Sequence, residues 1–219
     1  MKAQRHQKAP PLTVAAWVQG SAIDLEQLLG RVVLIEVFQV NCPGCFLYAL
    51  PQAVALHHRY AHQGLTVLGI ATAFEDYTIN TLANLTRLAA TGEVPGQTLL
   101  ALQQQGLLQD GRLSYNIPFP LAMDHIQTPQ SQLPPAVVDD FISQRVPAFS
   151  QQPPAQQQQL RENAERYLHS LNTHAETFER YDLQGTPSVL LIDKQGLLRE
   201  RVLGTYPDLE ARIVALLQE

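Results

Sequence analysis

One continuous stretch, residues 31–62, restricts the fold more than any other part of this sequence. Residues 31–38 (RVVLIEVF) are rich in β-branched side chains and almost unbroken in apolar character, the pattern of a strand buried on both faces. They run directly into Asn41-Cys42-Pro43-Gly44-Cys45. From residue 46 to 62 the period turns helical, with Leu47, Leu50, Val54 and Leu56 recurring roughly once per turn. Pro51 falls inside this helix and predicts a kink, because its ring removes a donor and clashes with the preceding turn. Residues 65–72 (LTVLGIAT) read as a second buried strand. Strand, helix and strand form a βαβ unit, which places the Cys-x-x-Cys at its first strand-to-helix junction.

Cys42 and Cys45 are the only two cysteines in 219 residues. That count excludes a disulfide-stapled secreted mini-protein and a four-cysteine zinc site. At a helix start, Cys42 lies beside unpaired amides and the positive end of the helix, which favours a thiolate over a thiol. In such motifs the first cysteine's pKa falls to about 3.5–7.5. Cys45, one turn on, is placed to attack a mixed disulfide formed at Cys42, the two-step exchange of a dithiol oxidoreductase. An inert buried pair is the alternative reading.

The remaining composition narrows the partners. Charged residues make up 16% and the net charge is −5, which argues against nucleic acid as the main partner, since phosphate binding needs clustered Lys and Arg. The basic N-terminus is not followed by an apolar core of signal-peptide length, and no stretch approaches the roughly 20 apolar residues that span a bilayer. The expectation is a cytoplasmic protein in a reducing compartment, with no membrane partner.

Along the chain, residues 1–12 end in Pro10-Pro11 and read as a loose leading segment. Residues 78–90 and 97–105 are helical in pattern, and Gln109-Asp110-Gly111 makes a turn. Residues 117–124 (IPFPLAMD) are extended, their two prolines suggesting a sheet edge or the start of a strand. Residues 126–159 are rich in Gln, Pro and Ser and read as a long surface excursion with one short helix over 137–144. Then Leu160, Ala164, Tyr167, Leu168, Leu171, Ala175 and Phe178 fall on one face of a long helix. Gly185-Thr186-Pro187 leads into a strand over 188–192, a turn at Asp193-Lys194-Gln195-Gly196, a returning strand over 197–203 and a terminal helix over 207–217.

The segments VVLIEVFQVNCPGC, LTVLGIAT and GTPSVLLIDKQGLL, in this order, resemble the thioredoxin superfamily, and within it the TlpA-like or redoxin branch. The resemblance covers about residues 12–75 and 117–219. It implies an α/β thioredoxin-like fold: a single domain over 1–219, a central mixed sheet flanked by helices, and a large helical and irregular insertion, around 76–160, before a cis-proline. It implies a thiol-disulfide oxidoreductase with Cys42 as attacking thiolate and Cys45 as resolving thiol. Pro187, after Thr186, matches the family's cis-proline, which offers backbone pairing to a bound substrate. Glu36, six residues before Cys42, matches a buried acid that moves the second cysteine's proton; burial would raise its pKa toward neutrality. A solvent-facing or salt-bridged glutamate is the other reading. Phe38 matches a position that is often aromatic. No cofactor is implied; the partners are a disulfide-containing protein substrate and a separate electron donor, a reductase or a thiol.

The sequence departs from thioredoxins at Pro43-Gly44, which reverses their dipeptide, at Asn41, where they carry tryptophan, and at Pro51, one position later than their kink. Three other readings stand beside the dithiol. A peroxiredoxin needs Thr or Ser three residues before its cysteine, where this chain has Gln39. A metal site would draw on His57, His58 and His62, on a helix that carries them away from the cysteines. A non-catalytic binding module would draw on the Gln/Pro-rich stretch.

Overall fold

The computed structural model describes residues 2–128, 133–171 and 173–219, with the side chains of 169–171 excepted. Its centre is a six-stranded sheet in the order β1-β6-β3-β2-β9-β10, built from β1 (Val14–Gln19), β2 (Val32–Phe38), β3 (Leu65–Ala71), β6 (Leu121–Asp124), β9 (Ser188–Ile192) and β10 (Leu198–Leu203). Two-residue strands β4 (Leu108–Gln109) and β5 (Arg112–Leu113) form a separate hairpin around the expected turn at 109–111. β2 runs parallel to β3, with Val32 opposite Leu65 and Phe38 opposite Ala71, and antiparallel to β9, with Glu36 opposite Val189. The sheet is therefore mixed, and the βαβ unit read from residues 31–72 is its centre.

Every residue of β2 is buried, and the strand's period of two divides its side chains between two cores. Val32, Leu34 and Phe38 pack with Phe46, Leu50, Leu85, Leu102 and Ile213, which come from the CxxC helix, from α2 (Leu82–Thr91) and α3 (Gly96–Gln104), and from α7 (Leu209–Gln218). Val33, Ile35 and Val37 pack with Phe178, Tyr181, Leu190 and Leu198 on the other face. Glu36 shares the parity of Leu34 and Phe38, so it points toward the face that holds the CxxC helix.

β6 lies between β1 and β3, not at an edge. Pro118 and Pro120 precede its first paired residue, where a missing donor costs no ladder bond. The leading segment is also not loose. Ala3 and Ala9 are buried, a backbone bridge joins Lys8 to Leu197, and the amides of His6 and Leu198 bond the carbonyls of Leu198 and Gln7. Residues 6–9 thus bond the start of β10 and the turn before it, at the end of the sheet, and occupy a donor and an acceptor of Leu198 that would otherwise invite another chain.

The chain forms two compact units, residues 1–126 with 175–219 and residues 127–174. The crossings between them are two-residue strands, β7 (Ile126–Gln127) and β8 (His174–Ala175), which pair with one another. The smaller unit holds α4 (Pro135–Ser143), close to the short helix expected over 137–144, and α5 (Pro154–Leu171). Val138, Ile142, Phe149 and Ala164 form its core, with Leu133, Val146, Leu160 and Leu168 packed around them. Arg161 grips both carboxylate oxygens of Asp139 at 2.6 and 3.0 Å.

The long helix expected from Leu160 to Phe178 is divided. α5 begins six residues earlier and ends at Leu171, whose side chain lies outside the described residues. Ala175 belongs to β8 and Phe178 to α6 (Glu176–Arg180), where Phe178 stacks on Phe74 with ring centroids 4.8 Å apart. The apolar spacing carries on across the break, but the last two residues serve the core of the larger unit. α6 starts separately because the buried Asp124 carboxylate accepts the amides of Thr177 (2.8 Å) and Phe178 (3.0 Å), orphan donors of its first turn.

Candidate functional site

β2 ends at Phe38, and Gln39, Val40 and Asn41 carry the chain to the head of the next helix, which begins at Pro43. Proline suits that position because its fixed φ is already helical and its missing N–H would have no partner there. Cys42 and Cys45 are joined in a disulfide with Cα atoms 5.4 Å apart. Cys42 is half-buried and Cys45 fully buried. The Cys45 amide donates to Cys42 Sγ at 3.2 Å, so a main-chain dipole is aimed at the sulfur of the less buried cysteine. Such a donor stabilises negative charge on that atom.

Behind the dithiol the helix contains a π-turn over Cys45–Ala49, in which the Leu50 amide bonds back to the Cys45 carbonyl. Pro51 explains the compensation that follows. With Leu50 committed to Cys45 and no N–H on Pro51, the Phe46 carbonyl has no donor within its own helix. The Tyr115 hydroxyl supplies one at 3.2 Å, and burial pushes that phenol's pKa far above its ordinary value. The kink expected at Pro51 is realised as this π-turn, after which α1 (Leu50–Tyr60) runs regularly.

The Thr186–Pro187 peptide bond is cis. It stands against the dithiol: a Cβ placed on Gly44 would lie 4.0 Å from Pro187 Cδ. Gln39, buried at the end of β2, receives the Thr186 hydroxyl on its carbonyl at 3.2 Å and donates to the Glu75 carbonyl at 3.4 Å. It therefore braces the cis-proline turn against the loop after β3. Phe38 meets Phe46 edge-on with centroids 6.0 Å apart, beneath the helix that carries Cys45.

Glu36 is 1% exposed, and its Oε1 is buried with no hydrogen-bond partner. Desolvation holds its carboxyl well above the usual carboxylate range. The solvent-facing and salt-bridged readings do not fit this environment. Asn41 is tied on three sides: its amide nitrogen donates to Asp76 (2.7 Å), its carbonyl accepts the Gln97 amide (2.7 Å), and its own backbone amide donates to Asn80 (2.9 Å). Among the described residues no group of three His, Cys, Asp or Glu side chains gathers as a metal site. His57 instead packs beside His58 and Phe119, and burial lowers its pKa.

These features share one end of the sheet: a dithiol at the close of β2, a cis-proline at the start of β9, and a parallel β2–β3 pair joined by the dithiol's helix. Solved structures match that arrangement along nearly all of the chain. A protein described as belonging to the thioredoxin-like superfamily aligns with a TM-score of 0.58 at 24% identity, covering 97% of both chains. A thiol-disulfide isomerase from Corynebacterium glutamicum aligns at 0.59 and 24%, covering 98% of this chain and 97% of its own. An uncharacterized conserved protein from Geobacillus kaustophilus aligns at 0.53 and 15%, covering 98% and 82%. This chain has a thioredoxin-like fold. No family model and no curated protein matches the sequence.

Within the thioredoxin-like frame, four contributors escaped the sequence reading. Gln39 figured there only as a residue unsuited to a peroxiredoxin. Asn80, Tyr115 and Asp124 carried no pattern of their own, since each acts on a main-chain group remote in sequence. A lone acid closing the apolar run 121–124 was the one visible cue for Asp124. No described helix is long and apolar enough to cross a membrane.

Proposed function

We propose that this protein is a thiol-disulfide oxidoreductase that reduces or exchanges disulfides through Cys42 and Cys45. The observation that carries the reading is the Cys42–Cys45 disulfide at a helix head, partly exposed at Cys42 and faced by the cis Thr186–Pro187 bond. In the reducing direction the Cys42 thiolate attacks one sulfur of a substrate disulfide. A mixed disulfide forms and the first substrate thiolate leaves, taking a proton from solvent. Cys45 then loses its proton and attacks Cys42 Sγ. The second substrate sulfur departs as a thiolate and takes a proton from solvent, and two electrons have passed from the dithiol to the substrate. Glu36, on the same face of β2 as the CxxC helix and with a carboxyl whose pKa burial raises, serves in its ionised form as acceptor for the Cys45 proton. Thr186 and Pro187 form the edge on which the substrate docks, while Asn41, Pro43 and Gly44 shape the rim of the active-site loop. The partners are a disulfide-containing protein and a separate reductase or thiol that restores the dithiol.

Titration against glutathione or dithiothreitol buffers, with alkylation and mass readout, tests the reading. A single reversible two-electron couple at Cys42–Cys45 is expected, together with insulin-disulfide reduction that Cys42→Ser abolishes. A chain in which no intramolecular disulfide forms between about −120 and −270 mV is not such an enzyme.

A further inference from the structure

The residue before the nucleophile is bonded more heavily than loop geometry requires. Asn41 spends its side-chain donor, its side-chain acceptor and its main-chain donor on Asp76, Gln97 and Asn80, of which Asp76 and Asn80 lie between β3 and α2 and Gln97 in the first turn of α3. The bond to Gln97 occupies an orphan amide in the first turn of α3, so the carbonyl of residue 41 acts as an N-cap supplied from elsewhere in the chain. Asn80 is itself buried and bonded to the Glu75 carbonyl, which also receives Gln39. Gly96 completes the fit. It sits at φ +56, and a Cβ there would come within 2.3 Å of Asn41 Oδ1.

We propose that Asn41 is a positioning residue for the dithiol: it latches the loop before α2 and the first turn of α3 to the head of the active-site helix and thereby sets the reactivity of Cys42. The inference rests on the redox reading above and deepens it. Its physical basis is local. The three bonds fix the backbone of residue 41, and that backbone directs Cys42 to the position where the Cys45 amide reaches Sγ. With the latch released, the sulfur samples positions away from that donor. The thiolate is then less stabilised, and because a destabilised reduced form favours the disulfide, the couple becomes more reducing.

Two variants approach the latch from opposite sides. Asn41→Ala removes the side-chain bonds, and Gly96→Ala leaves Asn41 in place but drives a methyl group into its carbonyl. Each is expected to slow alkylation of Cys42 about threefold to tenfold at a pH below the thiol's pKa, and to shift the equilibrium with glutathione toward the disulfide by a similar factor; tenfold corresponds to about 30 mV. In the double variant, Gly96→Ala should add less than twofold to the effect of Asn41→Ala, because its target is gone. Additive effects, or variants that lower the melting temperature while potential and alkylation rate stay at wild-type values, overturn the latch and leave the oxidoreductase reading intact. A wild-type chain with no reversible couple overturns both.

Discussion

Single residues at this site are governed by what their polar atoms can reach. Glu36 is 1% exposed with one oxygen unpartnered, and burial raises its pKa. The sign of its contribution to stability follows. In the unfolded chain the carboxyl ionises near ~4.3, whereas in the fold it keeps its proton to much higher pH. Above that unfolded value the native state binds more protons than the unfolded one, so stability falls as pH rises until the buried carboxyl itself ionises. Glu36→Leu should therefore stabilise the protein by about 1–3 kcal/mol at pH 8 and flatten this part of the pH profile, as measured by urea denaturation. The same variant should slow disulfide reduction and remove from its pH profile the dependence on this carboxyl. Loss of stability in Glu36→Leu at pH 8 would contradict the account. Glu36 was legible from its distance to Cys42 and from the resemblance; the missing hydrogen-bond partner was not, because it depends on which neighbours the sheet brings.

At the scale of elements, the active-site helix shows how a local rule acquires a remote partner. Pro51 announced an irregularity through its missing donor, which any sequence reading detects. Its form as a π-turn, and the rescue of the Phe46 carbonyl by Tyr115, depend on a residue 69 positions away. Tyr115→Phe removes only the hydroxyl and is expected to cost about 0.5–1.5 kcal/mol with the fold unchanged. Pro51→Ala returns a donor to the helix. Its new amide should bond within the helix and show slow hydrogen exchange, and fast exchange there would mean that the π-turn has another cause. α6 teaches the opposite lesson. The apolar spacing from Leu160 to Phe178 continues without a visible break, yet Asp124 caps a separate helix within it. Period alone cannot register a cap delivered from another strand.

For the whole molecule, the chain divides into a unit of 1–126 with 175–219, which contains the dithiol and the cis-proline, and a unit of 127–174 with its own small core. The crossings pair through β7 and β8, and the Glu176 amide bonds the His125 carbonyl at 3.0 Å. The excised ends therefore lie close together. Replacing residues 128–173 by a short Gly/Ser turn should leave a cooperatively folding chain whose Cys42–Cys45 equilibrium with glutathione stays within twofold of wild type. A chain that loses its cooperative urea transition would show that the smaller unit is needed for folding.

By itself the sequence determined whatever short-range chemistry decides: the βαβ centre, the dithiol at its first junction, the turn at Asp193 and the helices that follow 3.6-residue periodicity. Those signals lie within a few residues of the elements they specify. Only the tertiary structure decided that the leading segment bonds the start of β10, that β6 is interior, that Gln39 braces Thr186, and that Asn41, Tyr115 and Asp124 serve backbone groups far along the chain. Each of these outcomes satisfies a polar group that folding removes from water, and its partner is chosen by proximity in the fold, which no local pattern encodes.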